Sequence, residues 1–320
     1  MQPINHLKIH KDMKAKELVE GMKDLGFQAG KLGEAAFLFQ EIIKDKEIKL
    51  FLGIAGAMVP AGMKNIILDM LDYTSVFVTT GANLTHDLIE ALGERHYKGN
   101  ENANDEELNR KGIDRIYDVF MKQEVYVKLE QFFSDNWDEL STAKTIKELL
   151  WKIGSLLKNK DSILKKCWEK KIPVFCPALA DSGIGLMIWG NKARNKKIEI
   201  DAFEDMNEII DSSWKEKKKE VFYVGGGVPK NFIQQAMQFS TPALYGIQIS
   251  TDKEEYGGSS GAKLKEGISW GKMHKQGKFV NLSCDATIAL PLIMASVKAY
   301  SKRHKSFPIP RKFFKKFSGP

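Results

Sequence analysis

The chain has 320 residues, of which 43% are hydrophobic, so it can bury a sizeable core and is not disordered as a whole. No apolar run approaches the roughly 18 residues of a membrane-spanning helix, and the polar N-terminus lacks the apolar stretch of a secretory signal. The three scattered cysteines argue against a disulfide framework and have no metal-ligand spacing. We therefore expect a cytoplasmic protein with no membrane segment and no metal site.

The formal net charge of +8 arises at the C-terminal end. From Lys298 onwards there are eight basic residues and no acidic ones, whereas the rest of the chain has 41 basic and 41 acidic residues. A basic tail that also contains aromatic residues is a solvated end, a surface for an acidic partner such as nucleic acid, or a segment that docks on a neighbouring subunit. We interpret residues 301–320 as a solvated basic tail and expect no nucleic-acid partner.

Helices and strands alternate along most of the chain. Apolar residues three or four apart predict helix from about residue 14 to 46, and we interpret residues 1–30 as an N-terminal helical arm. Residues 97–165 are polar, follow a helical pattern and predict no strand. Short apolar runs predict strands at 48–54, 76–79, 172–176, 221–224, 243–250 and 279–282.

This alternation indicates the fold class. Strands separated by helices form a largely parallel sheet with helices on both faces, so we predict an α/β fold. No internal repeat divides the chain. We therefore expect a single domain over residues 31–300, with a helical insertion near 97–165.

The loops after the predicted strands are rich in small residues. They are residues 53–57, 79–83, 181–185, 225–227, 257–261 and 284–287. In an open α/β sheet, ligands bind beyond the carboxyl ends of the strands, where small residues and helix N-termini let the backbone approach a phosphate. One such loop is commonly only a tight turn, but six of them after successive strands predict a dinucleotide pocket. The usual G-x-G-x-x-G fingerprint of such a pocket is absent from the sequence.

Two acidic residues, Asp181 and Asp285, come after apolar strands. An acid in this position can bind a ribose hydroxyl pair, and it can equally cap the helix that follows. The two roles can coexist, so both interpretations stay open.

Lys272 follows a loop rich in glycine and serine and stands two residues after Trp270. A lysine that is partly desolvated beside a large aromatic ring can act as a nucleophile and form an imine. Most lysines in a lysine-rich chain are solvated surface residues, so chemistry alone does not select Lys272.

Several motifs together resemble the signature of the deoxyhypusine synthase family. They are Phe51–Gly53, Val78–Thr80, Pro173–Leu179 with Asp181, Gly225–Val228, Tyr256–Ala262, Glu266 and Ser269–Lys272. The motifs occur in the family's order over roughly residues 16–300. Jointly they are highly specific, and chance is a poor explanation for them.

The resemblance implies a Rossmann-like fold, a homotetramer with active sites between subunits, and NAD as the redox cofactor of the domain at 31–300. In the family, a hydride moves from spermidine to NAD, and cleavage leaves a four-carbon fragment as an imine on an active-site lysine. That fragment passes to an acceptor lysine of the hypusine-bearing translation factor and is reduced there.

Site residues follow from the resemblance position by position. Lys272 matches the imine-forming lysine, while Trp270, Glu266 and Gly257 match positions of the polyamine pocket. The implied NAD site comprises Gly56, Ala57, Pro60, Thr80, Gly81, Ala82, Asp181, Gly226, Gly227, Thr251, Ser260, Asp285 and Ala286.

Four positions depart from the family pattern. Asn231 stands where typical synthases have a histidine thought to transfer protons, and an asparagine cannot titrate. His86 replaces a glutamate, and Leu186 and Ser259 replace two aspartates that bind polyamine amines. Because buried ammonium groups need paired carboxylates, these losses should weaken or reorient a bound triamine, although Glu266 can still hold one cation.

Three functions therefore stay open. The first is deoxyhypusine synthesis with spermidine and a translation factor. The second is transfer to a small amine, as in homospermidine formation, which a narrow closed tunnel would favour over an entrance wide enough for a protein. The third is a non-catalytic NAD-binding scaffold, against which the intact Trp270-Gly271-Lys272 motif argues.

Overall fold

A computed structural model describes residues 3–303 of the protein. Residues 304–320, which make up most of the predicted basic tail, lie outside the described residues. Within residues 3–303, no helix is both long enough and apolar enough to cross a membrane.

The strands form one large and one small sheet. They are β1 (Ile48–Ile54), β2 (Thr74–Thr79), β3 (Tyr97–Lys98), β4 (Ile113–Ile116), β5 (Val119–Lys122), β6 (Val174–Phe175), β7 (Lys218–Val224), β8 (Ala243–Ile249) and β9 (Met273–Leu282). The large sheet is parallel throughout, in the order β6-β2-β1-β7-β8-β9. The predicted α/β, Rossmann-like fold is thus confirmed, although β6 is shorter than expected and β9 begins at Met273.

Helices cover both faces of the large sheet. The α-helices of the described residues, which include some that pack elsewhere, are α1 (Ala15–Met22), α2 (Phe27–Lys44), α3 (Lys64–Leu71), α4 (Gly81–Ala91), α5 (Asp105–Arg110), α6 (Val125–Asp135), α7 (Trp137–Leu140), α8 (Ile146–Leu156), α9 (Ile163–Glu169), α10 (Gly183–Ala193), α11 (Ala202–Trp214), α12 (Gly227–Gln238) and α13 (Ala286–Arg303). Two short 3-10 helices, Glu254–Tyr256 and Leu264–Ile268, lie between β8 and β9.

The sheet separates two apolar layers. Successive residues of a strand point to opposite faces, so Phe222 joins one layer and Tyr223 the other. The first layer contains Leu84 of α4 together with side chains of α2, α3 and α13. The second contains Ile209 of α11 and Ile233 of α12. Helices α4 and α12 therefore lie on opposite faces of the sheet.

The N-terminal helical region is two helices rather than one. The break lies between Met22 and Phe27, where Gly26 is extended and Phe27 has a positive φ of 56°. Helix α1 packs on α2 and α13, and its Val19 is buried. Helices α1 and α2 therefore pack against the folded body.

The segment 97–165 is mostly helical but also contains β3, β4 and β5, which pair as a small antiparallel sheet. The expectation that it holds no strand is wrong. These strands have two to four residues, too few for an apolar run or a clear alternation to stand out. Arg115 donates to both carboxylate oxygens of Asp105 and so ties β4 to α5.

Candidate active site

The glycine turn after β7 lies at the centre of the sheet's carboxyl edge. Gly225 and Gly227 have positive φ values of 71° and 55°, a conformation that favours glycine. A Cβ on Gly226 would come within 2.2 Å of the Cα of Ser260. The backbone of the loop after β8 therefore packs directly against Gly226, and only glycine fits between them.

We expect Gly226→Ala to push the loop around Ser260 away and to weaken NAD binding about five- to 150-fold, since overpacking of this kind costs roughly 1–3 kcal/mol. Gly190→Ala in α10 is a matched control, because a Cβ at Gly190 meets nothing within 4 Å. The check is titration of each purified variant with NAD by calorimetry. Equal affinity for the two variants would contradict the assignment of Gly226 to the cofactor site.

A second part of the carboxyl edge is built around Asn83. Its side-chain oxygen accepts hydrogen bonds from the backbone N–H groups of Met58 and Val59, at 3.1 and 3.3 Å, and so joins the loop after β1 to α4. Thr80 caps α4 by accepting from the Asn83 N–H at 3.3 Å. Gly56, in the same loop, has a positive φ of 79°. These hydrogen bonds hold the loop at 56–60 beside residues 80–82, and both segments contain predicted cofactor residues.

The two acidic residues differ in their roles. Ser182, and not Asp181, caps α10, since its Oγ accepts from the Gly185 N–H at 3.1 Å. Asp181 is exposed, and among residues 3–303 its carboxylate has no hydrogen-bond partner. Asp285 does act as a cap, accepting from the N–H of Thr287 at 2.7 Å. The capping interpretation therefore holds for Asp285 and is wrong for Asp181.

These features fit a dinucleotide. The glycine turn leaves a backbone surface without side chains, the N-termini of α4 and α12 supply amide dipoles, and the Asp181 carboxylate is available for a ribose hydroxyl pair. Thr251 and Ser260 border the same edge after β8, where Ser260 Oγ donates to Asp252.

Lys272 does not lie at the carboxyl edge of the sheet. It directly precedes β9, and its carbonyl accepts from the Ala243 N–H at 3.1 Å, at the amino end of β8. The chain between β8 and β9 thus returns alongside α12 from one edge of the sheet to the other. A groove between this segment and α12 runs from the glycine turn at 225–227 to Lys272.

The groove contains a cavity of about 390 Å³. Its lining comprises Lys230, Asn231, Gln234, Gln235, Gln238, Gly257, Ser259, Ala262, Lys263, Leu264, Glu266, Gly267, Trp270 and Lys272. Along α12 the lining runs from Lys230 to Gln238, two helical turns or about 12 Å. The cavity is therefore elongated and polar, and it includes six of the predicted catalytic and substrate residues, namely Asn231, Gly257, Ser259, Glu266, Trp270 and Lys272.

The Lys272 ammonium lies 4.9 Å from the centre of the Trp270 ring. Within residues 3–303, Lys272 Nζ has neither a hydrogen bond nor an ion pair. Its backbone is fixed, because the Lys272 N–H donates to the Gly267 carbonyl at 2.8 Å. A side chain with a free amine on an anchored backbone is suited to covalent chemistry.

Lys230 is a site residue that the sequence analysis missed. It is only 5% exposed, and its ammonium donates to the carbonyls of Ser259 and Ala262, both at 2.6 Å, and to Gln248 Oε1 at 3.0 Å. Burial lowers the pKa of Lys230 to about 8, against the opposing effect of Glu266. Lys230 thereby holds the loop that forms one wall of the cavity.

The sequence did carry a signal for this role. Lys230 and Gln234 occupy positions i and i+4 on the stripe of α12 that also buries Ile233 and Met237. Polar residues on a buried stripe need partners inside the protein. Gln234 finds one in the hydroxyl of Tyr223, to which its amide donates at 3.2 Å.

The other two predicted substrate residues, His86 and Leu186, do not line the cavity. His86 lies in α4, on the opposite face of the sheet from α12, and its ring is hydrogen-bonded to His96 at 2.8 Å. Leu186 lies in α10 and is 55% exposed. One chain therefore does not bring all the predicted polyamine contacts together.

The chain matches the family model described as "Deoxyhypusine synthase" over residues 17–297. It is similar to "Probable deoxyhypusine synthase 1" of Methanosarcina mazei, with 43% identity over 306 residues that cover 94% of this chain and 96% of the relative. It is also similar to "Probable deoxyhypusine synthase 1" of Archaeoglobus fulgidus, with 42% identity over 90% of this chain and 95% of the relative.

The fold is similar to two solved structures. One is described as "a putative deoxyhypusine synthase from Entamoeba histolytica", with a TM-score of 0.64 and 20% identity, covering 92% of this chain and 97% of the other. The second is a LOR/SDH protein from Methanococcus maripaludis, with a TM-score of 0.51 and 12% identity, covering 94% and 75%. At these identities the likeness concerns the fold.

Proposed function

The chain belongs to the deoxyhypusine synthase family, and on that premise we propose that it is an NAD-dependent aminobutyl transferase. It moves the aminobutyl group of spermidine, through an imine on Lys272, to the acceptor lysine of the hypusine-bearing translation factor. The observation that carries the proposal is the free Lys272 amine at one end of an elongated polar cavity beside Trp270.

The cavity suits a linear amine. Glu266 lines it, and among the described residues its carboxylate has no ion-pair partner, so it is available to one substrate ammonium. The Trp270 ring can lie against the methylene chain or a cationic end of the substrate. Gln234 and Gln238 add amide oxygens along the helix to accept further N–H groups.

Lys272 then acts as the nucleophile. As a neutral amine it adds to the imine carbon of the oxidised donor, forming a bond from its Nζ to that carbon. Collapse of the adduct breaks the bond to the leaving amine and releases diaminopropane, leaving the four-carbon fragment on Lys272. The amine of the acceptor lysine repeats this exchange and frees Lys272.

NAD would be held by Gly226 and Gly227, by the loops at Gly56–Pro60 and Thr80–Ala82, and by Asp181 near its ribose. When bound, it supplies the hydride acceptor for oxidation of the donor carbon and the hydride for the final reduction. The fit rests on the surface without Cβ atoms at Gly226 and on the free Asp181 carboxylate.

Transfer to a small amine, as in homospermidine formation, is the second candidate. It is favoured by the charge of the cavity, because Glu266 is the one acidic residue among its described lining, against three lysines. A triamine brings several ammonium groups, which the family's two missing aspartates would have paired. Against this candidate, Trp270 is 58% exposed, which supports an entrance open enough for a protein acceptor.

We further propose a homotetramer located in the cytoplasm. Support for assembly comes from α10, which leaves Leu186 and Trp189 55% and 68% exposed on one helix. Because His86 and Leu186 lie away from the cavity of their own chain, a second copy is the natural source of these groups for each site.

Covalent trapping tests the proposed function. The full-length protein is incubated with NAD and spermidine, borohydride is added, and intact and peptide masses are measured. We expect a four-carbon amine adduct on Lys272 with release of diaminopropane. An adduct with a different amine, and none with spermidine, would reassign the donor. The absence of an adduct with every polyamine would refute transferase activity.

A further inference from the structure

Gln234 presents a side-chain oxygen of fixed orientation to the cavity. The residue lies on the buried stripe of α12 and is only 5% exposed. Its amide nitrogen donates to the hydroxyl of Tyr223 at 3.2 Å and to the sulfur of Met273 at 3.4 Å. Since a thioether sulfur can only accept, the nitrogen is the atom that faces Met273, and the oxygen Oε1 points away from it. The side chain is therefore held in one orientation.

The oxygen of Gln234 has no partner in the described part of the chain. Among residues 3–303, both hydrogen bonds of this side chain are made by its nitrogen. The oxygen is also not sealed off, because the fully buried side-chain atoms without a partner in this range belong to Asn191 and Glu220. An amide oxygen in a buried side chain is costly to leave unpaired, and Gln234 lines the cavity. Its Oε1 is therefore an acceptor that is open to a ligand in the cavity.

This oxygen lies at the end of the cavity that contains Lys272. A Cβ on Gly267 would lie 3.2 Å from Oε1 of Gln234, so the oxygen packs beside the backbone of residue 267. The same Cβ would lie only 2.7 Å from Cγ of Met273, so glycine leaves room here for the amide and the thioether. The Gly267 carbonyl accepts from the N–H of Lys272 at 2.8 Å. Gly267 therefore borders both the open oxygen of Gln234 and the backbone of the proposed nucleophile.

The amide of Gln234 is neutral, which sets what it can recognise. Glu266 is the one acidic residue among the described lining of the cavity, and its carboxylate suits a substrate ammonium. An amide oxygen accepts an N–H group without fixing a positive charge on the nitrogen, whereas a carboxylate in its place would favour the ammonium form. An ammonium has no lone pair, so it can neither lose a hydride to give an imine nor exchange with one. The cavity thus has one acceptor for a charged nitrogen and another, near Lys272, for a neutral one.

We propose that Gln234 determines specificity by accepting the N–H of the substrate nitrogen that reacts at Lys272. This assignment rests on the proposed function and narrows its substrate class. The donor is a linear amine that places an ammonium at Glu266 and an uncharged N–H group at Gln234. In spermidine the secondary amine is that N–H group, and a terminal amine is the ammonium. Tyr223 and Met273 are positioning residues, because they act only through the amide that they orient.

The first test measures binding without turnover. The full-length protein is titrated with spermidine by calorimetry in the presence of NADH, which cannot accept a hydride, so the donor stays intact. We expect Gln234→Leu to weaken binding about three- to tenfold, because one hydrogen bond to the substrate is lost. Gln131→Leu, at an exposed glutamine of α6, is the matched control and should bind spermidine like the wild type. Equal affinity for Gln234→Leu and the wild type would overturn the proposal.

The second test uses Gln234→Glu, which keeps the shape of the side chain and adds a negative charge. The Tyr223 hydroxyl can donate to the new carboxylate, so the side chain keeps a partner in the wall. We expect spermidine to bind at least as tightly as in the wild type, because the carboxylate attracts an ammonium. We expect the adduct on Lys272 to form at least about tenfold more slowly with NAD, because the bound nitrogen stays protonated. Adduct formation as fast as in the wild type would contradict the assignment.

The outcomes for Gln234 and for the proposed function are distinguishable. A wild type that binds spermidine but forms no adduct would refute the transferase activity, and the comparison of affinities would still decide on Gln234. Adduct formation by a wild type whose affinity for spermidine is matched by Gln234→Leu would refute the role of Gln234 alone. A wild type that does not bind spermidine would overturn both.

Discussion

Lys272→Ala is expected to abolish the borohydride-trapped adduct completely, because no other amine in the cavity is placed to replace it. Lys230 donates to three acceptors, and Lys263 is paired with Glu254 at 2.5 Å. Lys272→Arg should be equally inactive, since a guanidinium stays protonated and cannot form an imine. The measurement is the mass of the protein and of the peptide containing residue 272 after incubation with NAD and spermidine.

The fold should survive this change. The side chain of Lys272 contacts the Trp270 ring, an interaction worth roughly 0.5–1 kcal/mol at an exposed site. Lys275→Ala, an exposed lysine three residues further on, is the matched control and should be labelled like the wild type. An adduct of wild-type yield on Lys272→Ala, at any other lysine, would show that the nucleophile has been misassigned.

Lys230→Met is expected to lower the free energy of unfolding by about 2–4 kcal/mol and the yield of adduct at least about tenfold. The substitution keeps an unbranched apolar side chain, one atom shorter, but leaves the carbonyls of Ser259 and Ala262 and the Gln248 oxygen without their shared donor. Acceptors that are shielded from water are costly without a donor, and the segment that carries Ser259 and Ala262 lines the cavity. Urea denaturation followed by circular dichroism measures the first effect, and trapping on Lys272 the second.

Lys265→Met provides the comparison, because Lys265 is an exposed lysine of the 3-10 helix that lines the same cavity. It should differ from the wild type by less than about 0.5 kcal/mol in unfolding free energy. If Lys230→Met were as stable and as reactive as Lys265→Met, the loop would not depend on the buried ammonium. A loss of adduct without a loss of stability would instead point to direct contact between Lys230 and the substrate.

Much of the cofactor edge could be predicted because its requirements are local. A parallel strand buried on both faces needs a continuous apolar run, as in Ile48–Ile54 and Val221–Val224, and a backbone that approaches a phosphate needs glycine, as at Gly225–Gly227. The family motifs likewise identified Lys272, Trp270 and Glu266, which line one cavity.

The roles of Lys230 and His96 could not be predicted in the same way, because each depends on partners far away in the chain. Lys230 meets the carbonyls of Ser259 and Ala262, about thirty residues later, only because the segment after β8 folds back along α12. His96 connects His86 to Glu90 only because the chain turns back after the end of α4. This turn brings the His96 ring beside that helix. Judged by residue type and local sequence alone, both residues are typical of a helix surface or a helix end.

The amino-acid sequence by itself determined the α/β class, the positions of the six strands of the large sheet, the glycine turn at 225–227 and the family. These follow from the spacing of apolar residues, the need for glycine at a turn and the order of motifs, all of which are properties of short segments. Only the tertiary structure decided that Lys272 lies at the amino end of β9 and that a buried lysine holds the cavity wall. It also decided that α4, which carries His86, lies on the opposite face of the sheet from the cavity along α12 that contains Lys272. The physical reason is that the burial and the electrostatic environment of a side chain depend on which residues, distant in sequence, lie next to it. Those contacts form only when the sheet and its helices pack together.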